Sequence, residues 1–263
     1  MTAGGCSKQS GSAVAEVRDL VCRYGDRVVL NSISFDILSG EILCIIGGSG
    51  CGKTTLLRHL AGLLNPAAGT IRFWGENIVD MNEDERSAFS RRIGIAFQGG
   101  ALFNSMTVGE NIALPIEEHG IVDPSLVGIM VEMKLGLVGL GGLENTMPSE
   151  LSGGMVKRVG FARSIATDPE VVFFDEPSAG LDPITSAGLD QLILKIRKLT
   201  GSTLVVVTHE LNSIETIADR ILMLDEGKIV FMGTPAEASR SREPRLRQFF
   251  EHRPDEGIEP HNR

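Results

Sequence analysis

Residues Ile42-Leu43-Cys44-Ile45-Ile46-Gly47-Gly48-Ser49-Gly50-Cys51-Gly52-Lys53-Thr54-Thr55 decide how this chain is read. An apolar run passes into a glycine-rich loop, and the loop ends in Lys-Thr-Thr. The spacing G-x-x-x-x-G-K-[ST] is that of a phosphate-binding loop. Its glycines let successive backbone N–H groups turn inward onto phosphate oxygens, because no Cβ blocks the approach. Lys53 brings a positive charge to β- and γ-phosphates, and the Thr54 hydroxyl suits Mg²⁺. Thr55 to Gly62 reads as a helix whose N-terminal dipole points at the same phosphates. A plain glycine-rich turn is the alternative. The apolar strand before the loop and the helical stretch after it favour the phosphate site.

Working outward, the 263 residues carry 25 Lys and Arg against 34 Asp and Glu, a formal net charge of −9. The length suits one large α/β domain with a subdomain. The acidic balance argues against a dedicated nucleic-acid binder, while leaving room for a local basic patch. Cys6, Cys22, Cys44 and Cys51 show no C-x-x-C spacing and no paired His nearby, which speaks against zinc and against a disulfide framework. Thiols on a strand and in a phosphate loop fit a reducing compartment. No apolar run reaches the roughly 20 residues that span a bilayer. No hydrophobic segment precedes Cys6 to form a lipoprotein signal. Any membrane role is therefore expected to come through a partner.

In chain order, residues 1–13 are rich in Gly, Ser and Ala and are expected to be a disordered tail. Val14 to Val21 alternates as a half-exposed strand does. Val28 to Leu30 and Ile33 to Ile37 read as further strand, and Thr70 to Trp74 as another, followed by a turn at Gly75-Glu76-Asn77. Glu83 to Arg92 is a charged helix, and Ile93 to Phe97 an apolar strand ending at Gln98. From Gly99 the character changes. Apolar Leu126, Ile129, Met130 and Met133 recur at helical spacing and suggest a helical insertion over about residues 99–165. Ser152 to Ala166 reads as a helix, Val171 to Phe174 as an apolar strand, Ile184 to Leu199 as a helix and Thr203 to Val207 as a buried strand. Ile221 to Leu224 and Ile229 to Met232 form a hairpin. The main domain is placed at 14–243, with an extension over 244–263.

Two further stretches carry chemistry. Val171-Val172-Phe173-Phe174-Asp175-Glu176 is an apolar strand ending in two carboxylates. Beside a phosphate loop, Asp175 suits Mg²⁺ and Glu176 is placed to polarise an attacking water. Without that loop the pair would equally suit a solvated strand exit. Leu151-Ser152-Gly153-Gly154-Met155 puts a serine and two glycines at a helix start, an anion-binding nest or a simple N-cap. A second anion site makes sense if two copies sandwich ATP head to tail, each nest capping the other's γ-phosphate.

Taken in order, Gly47–Thr54, Gln98, Leu151–Met155, Asp175-Glu176, Ser178-Ala179-Gly180-Leu181-Asp182 and His209 make the chain similar to the ATP-binding cassette (ABC) ATPases, from about Val14 to Gly233. The resemblance implies an α/β fold of the P-loop NTPase type, with an N-terminal antiparallel β subdomain and a helical subdomain inserted between Gln98 and the signature helix. It also implies ATP and Mg²⁺ as cofactors. By resemblance Tyr24 stacks on adenine, and Gln98 contacts Mg²⁺ or the attacking water. Ser152, Gly153 and Gly154 cap the partner's nucleotide, Asp182 contacts the partner protomer, and His209 hydrogen-bonds the γ-phosphate. Met155 stands where glutamine is commoner, which removes a polar side chain from that nest.

Within the family, Gly100 to Val108, Glu110-Asn111-Ile112, Pro115 to His119 and Met147-Pro148-Ser149-Glu150 resemble the lipid-trafficking ATPases of the maintenance-of-lipid-asymmetry group. Asp182 to Thr185 and Pro244 to Phe250 strengthen that likeness. It implies a homodimer on the cytoplasmic face of the inner membrane. Its partners would be two integral-membrane permeases, a small cytosolic accessory and a periplasmic lipid-binding protein. Nucleic acid is not expected, and the membrane is reached only through the permease. Apolar Ala101, Leu102, Phe103 and Met106 suit either a permease helix or packing within the helical subdomain. Leu246, Phe249 and Phe250 suit either crossing to the second protomer or folding back. Alternatives are an ABC importer ATPase for a small solute such as an amino acid, and a non-transport ABC ATPase.

Overall fold

The computed structural model describes residues 11–120 and 122–251. Residues 1–10 of the tail expected to be disordered lie outside them, as does the polar stretch from Pro254. The end of that tail is ordered: Ala13 already pairs with Leu38 in a strand, and the Ser12 carbonyl accepts from Ser39 N–H. In chain order the elements begin with strands β1 (Ala13–Tyr24), β2 (Arg27–Leu38) and β3 (Ile42–Gly47). Helix α1 (Lys53–Leu60), strands β4 (Ala68–Phe73) and β5 (Glu76–Asn77), helix α2 (Glu83–Arg92) and strand β6 (Ile93–Ala96) follow. Helices α3 (Val108–Glu118), α4 (Val127–Leu137) and α5 (Gly153–Ser164) form the insertion. The chain then alternates β7 (Val171–Asp175), α6 (Pro183–Thr200), β8 (Thr203–Val207) and α7 (Leu211–Ile217). It closes with β9 (Arg220–Asp225), β10 (Lys228–Gly233), α8 (Pro235–Ala238) and α9 (Pro244–Phe250).

Two sheets result. The first has the order β2-β1-β4-β5 and is antiparallel; the second has the order β10-β9-β3-β8-β7-β6 and is parallel except for β10. The central strands β3, β7 and β8 are buried at every position and apolar apart from Thr203 at the start of β8, Asp175 at the end of β7 and Gly47 at the end of β3, because both faces of their sheet are covered. On β3, Ile42, Cys44 and Ile46 join a core with α3 to α6, while Leu43 and Ile45 join a second core with α1 and the antiparallel sheet. The same alternation splits Val172 and Phe174 from Val171 and Phe173 on β7.

Several boundaries differ from the sequence expectation for physical reasons. β2 is one strand rather than two, because Asn31 and Ser32 stay in the ladder through an irregularity where Ser32 has φ 53°. Glu76 and Asn77 pair with β4 instead of only turning. α1 starts at Lys53, two residues early, since Gly52 at φ 108° supplies the N-cap. The helix at 127–137 exists, but its inward face is Val127, Val131, Lys134 and Leu135. Leu126, Ile129 and Met133 are exposed, Met133 at 64%. This helix is apolar nearly all round, so spacing alone does not choose its face.

Backbone proximity also sets the position of α5. A Cβ on Gly94 of β6 would lie 1.8 Å from the Ser164 carbonyl oxygen at the end of α5. Gly94→Ala is expected to cost about 2–3 kcal/mol, lowering the thermal midpoint by roughly 5–10 °C. Calorimetry checks this; an unchanged midpoint would show that strand and helix separate freely.

Candidate functional site

The phosphate loop is shaped by three left-handed glycines: Gly47 at φ 143°, Gly50 at φ 74° and Gly52 at φ 108°. At Gly47 the reason is also steric, since a Cβ there would lie 2.2 Å from the Leu224 carbonyl oxygen. Gly48, Ser49 and Gly50 are exposed, whereas Gly47, Cys51 and Gly52 are buried. Lys53 Nζ donates to the carbonyls of Gly47 and Gly48, both at 2.9 Å. The first turn of α1 holds no acidic side chain and no side-chain cap, so its N–H groups and dipole face outward unopposed. Thr55 is half-buried in that turn. Burial pushes the Cys51 thiol above its ordinary pKa, against the pull of Lys53.

Parallel pairing aligns the strand ends. β8, β7 and β6 follow β3 in the sheet, so Gly47, Thr208-His209, Asp175-Glu176 and Gln98 all emerge from one edge. Asp175 Oδ1 accepts from the Thr54 hydroxyl at 3.1 Å across that edge. Asp175 is buried, and burial raises its pKa, opposed by the Thr54 bond and by Arg58 and Lys53. Glu176 follows at φ 48°, its N–H bonded to the Val207 carbonyl at 2.9 Å. This left-handed backbone turns the Glu176 side chain off the strand direction. Its Oε2 lies 2.7 Å from His209 Nδ1. A carboxylate only accepts, so Nδ1 donates and Nε2 remains for a further contact. The His209 side chain is 59% exposed and that of Glu176 14%. Gln98 is exposed, two residues beyond β6.

The remaining predicted residues lie apart from this cluster. Tyr24, the last residue of β1, is 49% exposed and presents its ring to solvent. Ser152 N-caps α5, accepting from Met155 N–H at 3.3 Å; Ser152 and Gly153 are exposed and Gly154 half-buried. Among the described residues no hydrogen bond joins Ser152–Gly154 to the phosphate loop. The Met155 side chain packs against the core beneath α5. Asp182 N-caps α6, with Oδ1 accepting from the N–H groups of Ile184 and Thr185 and Oδ2 from the Thr185 hydroxyl.

The sequence reading missed the groups that hold these loops. Arg163 of α5 donates to the carbonyls of Ala101 and Gly100 at 2.9 and 3.0 Å, fixing the loop that follows Gln98. Fully buried Asn111 accepts from Phe103 N–H and donates to the carbonyls of Phe103, Met106 and Thr107. That brace leaves Phe103 50% exposed while Leu102 packs inward. Glu210 accepts from Ser186 at 2.8 Å, tying the residue after His209 to α6. The Arg163 and Glu210 bonds join residues 24 to 63 apart, which no spacing rule links, and the Asn111 brace spans only 4 to 8 residues but follows no regular helix or turn pattern. At the C-terminus, fully buried Leu246 and half-buried Phe249 and Phe250 fold back on this chain's own core.

The ABC transporter family profile matches residues 30–179. This chain belongs to the ABC transporter family. Escherichia coli K12 MlaF, an intermembrane phospholipid transport system ATP-binding protein, is 41% identical over 93% of this chain and 91% of its own length. A probable ribonucleotide transport ATP-binding protein, mkl, from Mycobacterium leprae is 38% identical over 94% of this chain and 71% of its own. Among solved structures, the ATP-binding cassette MJ0796 in a dimeric post-hydrolysis state bound to ADP and Pi superposes with TM-score 0.77. It is 28% identical and covers 84% of this chain and 98% of that one. As an ABC ATPase the chain binds ATP and couples its hydrolysis to transport. No helix among the described residues is long and apolar enough to cross a membrane.

Proposed function

We propose that this chain is the ATP-hydrolysing subunit of a complex that moves phospholipid across a bacterial envelope and maintains outer-membrane lipid asymmetry. The observation that carries the reading is the 41% identity to MlaF along nearly the whole chain. In this reading the chain forms a homodimer on the cytoplasmic face of the inner membrane. It sits beneath integral-membrane permeases, with a small cytosolic accessory and a periplasmic lipid-binding protein completing the system.

Each catalytic site is composite. Gly47 to Thr55 of one protomer cradle the phosphates, Tyr24 stacks on adenine, and Ser152, Gly153 and Gly154 of the other protomer close over the γ-phosphate. Asp182 lies at the contact between protomers. The oxygen donors Thr54 and Asp175, already 3.1 Å apart, fit Mg²⁺, with Gln98 emerging from the same sheet edge. Mg²⁺ favours one or two carboxylates plus phosphates over an all-protein cage, and among the described residues no group of three or more acidic, His or Cys side chains is arranged to hold a metal ion. When bound there, it would neutralise charge developing on the phosphates. Lys53 adds its charge to the same oxygens. Glu176 orients the attacking water and accepts its proton, held in place by His209 Nδ1. His209 Nε2 then faces the γ-phosphate.

Phe103 suits a permease contact, exposed on a loop that Asn111 and Arg163 hold rigid beside Gln98. The test is reconstitution with the permease in vesicles and identification of the molecules moved. ATP-dependent phospholipid transfer is expected, and Phe103→Asp should abolish transfer and copurification while ATP binding persists. Transfer of nucleotides or another small solute instead of lipid would support the importer reading that the resemblance to mkl favours.

A further inference from the structure

Three cations on α5 grip backbone carbonyls of three separate segments. Arg158 donates to Val138 at the end of α4, Arg163 to Gly100 and Ala101, and Lys157 to Ala179 at 2.5 Å. The Lys157 bond differs in where it lands. Ala179 sits midway between Glu176 and Asp182, in a run of tight turns. Its N–H bonds the Glu176 carbonyl at 3.2 Å, and Leu181 N–H bonds that of Ser178 at 3.1 Å. Ser178 is buried, so this segment cannot swing freely. The same helix start meets α6 again through Gly154, where a Cβ would lie 3.0 Å from the Thr185 methyl.

The position of Lys157 is costly for a cation. Lys157 is half-buried, and burial pulls its pKa down, with Glu210 and then Glu176 pulling it back up. An ammonium group partly withdrawn from water against a carbonyl partner carries a desolvation penalty that an apolar side chain would not incur. What that penalty accompanies is a link between two half-sites. The start of α5, at Ser152 to Gly154, faces the partner's nucleotide, while Glu176 faces the chain's own.

We propose that Lys157 is a positioning residue that transmits nucleotide occupancy from one composite site to the other, by tying the α5 start to the Glu176–Asp182 segment of the same protomer. This rests on the composite-site reading above. Closure of Ser152–Gly154 on one nucleotide shifts α5 as a rigid body. The Lys157–Ala179 bond passes that shift to Glu176 at the other nucleotide. Two linked sites then hydrolyse ATP cooperatively.

The test measures ATPase rate against ATP concentration for the full chain in its permease complex, with Lys157→Met and Lys157→Arg beside the unchanged protein. The Hill coefficient is expected to fall from about 2 to about 1 in Lys157→Met and to recover in Lys157→Arg. A merely structural role would lower rate or thermal stability and leave the Hill coefficient in place. Should Lys157→Met fail to fold, Lys157→Gln keeps the length and removes the charge. Sizing of Glu176→Gln with saturating ATP separates the two ideas. A dimer there, with an unchanged Hill coefficient in Lys157→Met, overturns this proposal alone. A monomer there overturns the composite-site reading and the proposal with it.

Discussion

Glu176→Gln is expected to bind ATP normally, to hydrolyse it about 10²- to 10⁴-fold more slowly, and to accumulate as an ATP-bound dimer. The substitution keeps the side chain's size and leaves the backbone bond from Glu176 N–H to Val207 intact. Among the described residues it removes the one carboxylate that both bonds His209 and can take a proton from water. Asp175 is committed to the Thr54 hydroxyl and is buried, so it does not substitute. Binding relies on other residues, chiefly Gly47 to Thr55, and is spared. Steady-state ATPase assays and sizing in the presence of ATP check the prediction. Turnover within tenfold of the unchanged protein would remove Glu176 from the role of base.

Lys53→Ala is expected to weaken ATP binding by about 100-fold or more, since charge-assisted hydrogen bonds are worth about 1.5–3 kcal/mol each. Lys53 is only half-buried, and its ammonium braces the carbonyls of Gly47 and Gly48. The loop's path is set mainly by Gly47, Gly50 and Gly52 and by the strand beneath it. Folding stability should therefore change by no more than about 1 kcal/mol. Calorimetric titration with ATP, paired with thermal melting, separates the two effects. Unchanged affinity would contradict the assignment, and a collapsed melting point would place Lys53 in the fold instead of the site.

The strand-end chemistry was legible because the motifs are contiguous. Gly47 to Thr55 and Asp175-Glu176 each follow an apolar strand, and parallel pairing brings such strand ends to one edge. His209 and Gln98 are single residues, found only through their order along the chain. The bonds that hold Gln98 and Glu176 in place were illegible. Arg163 to Gly100 and Lys157 to Ala179 span 63 and 22 residues, and no spacing rule links their ends. The buried face of α4 was illegible for a related reason. An apolar helix can bury any side, and only α3, α5 and the Lys134–Asp168 ion pair select Val127, Val131 and Leu135.

From the stretch that opens at Ile42, the sequence alone determined a nucleotide-binding α/β chain with its phosphate loop and acidic strand end. Those features are local, set by glycine's conformational freedom and by continuous apolar runs. Tertiary structure decided which side of α4 faces out, that Met155 turns to the core, and that Leu246, Phe249 and Phe250 return to their own chain. It also decided that α5 grips three distant carbonyl segments at once. Such choices depend on competition for burial and for hydrogen-bond partners among segments that meet only after the chain has folded.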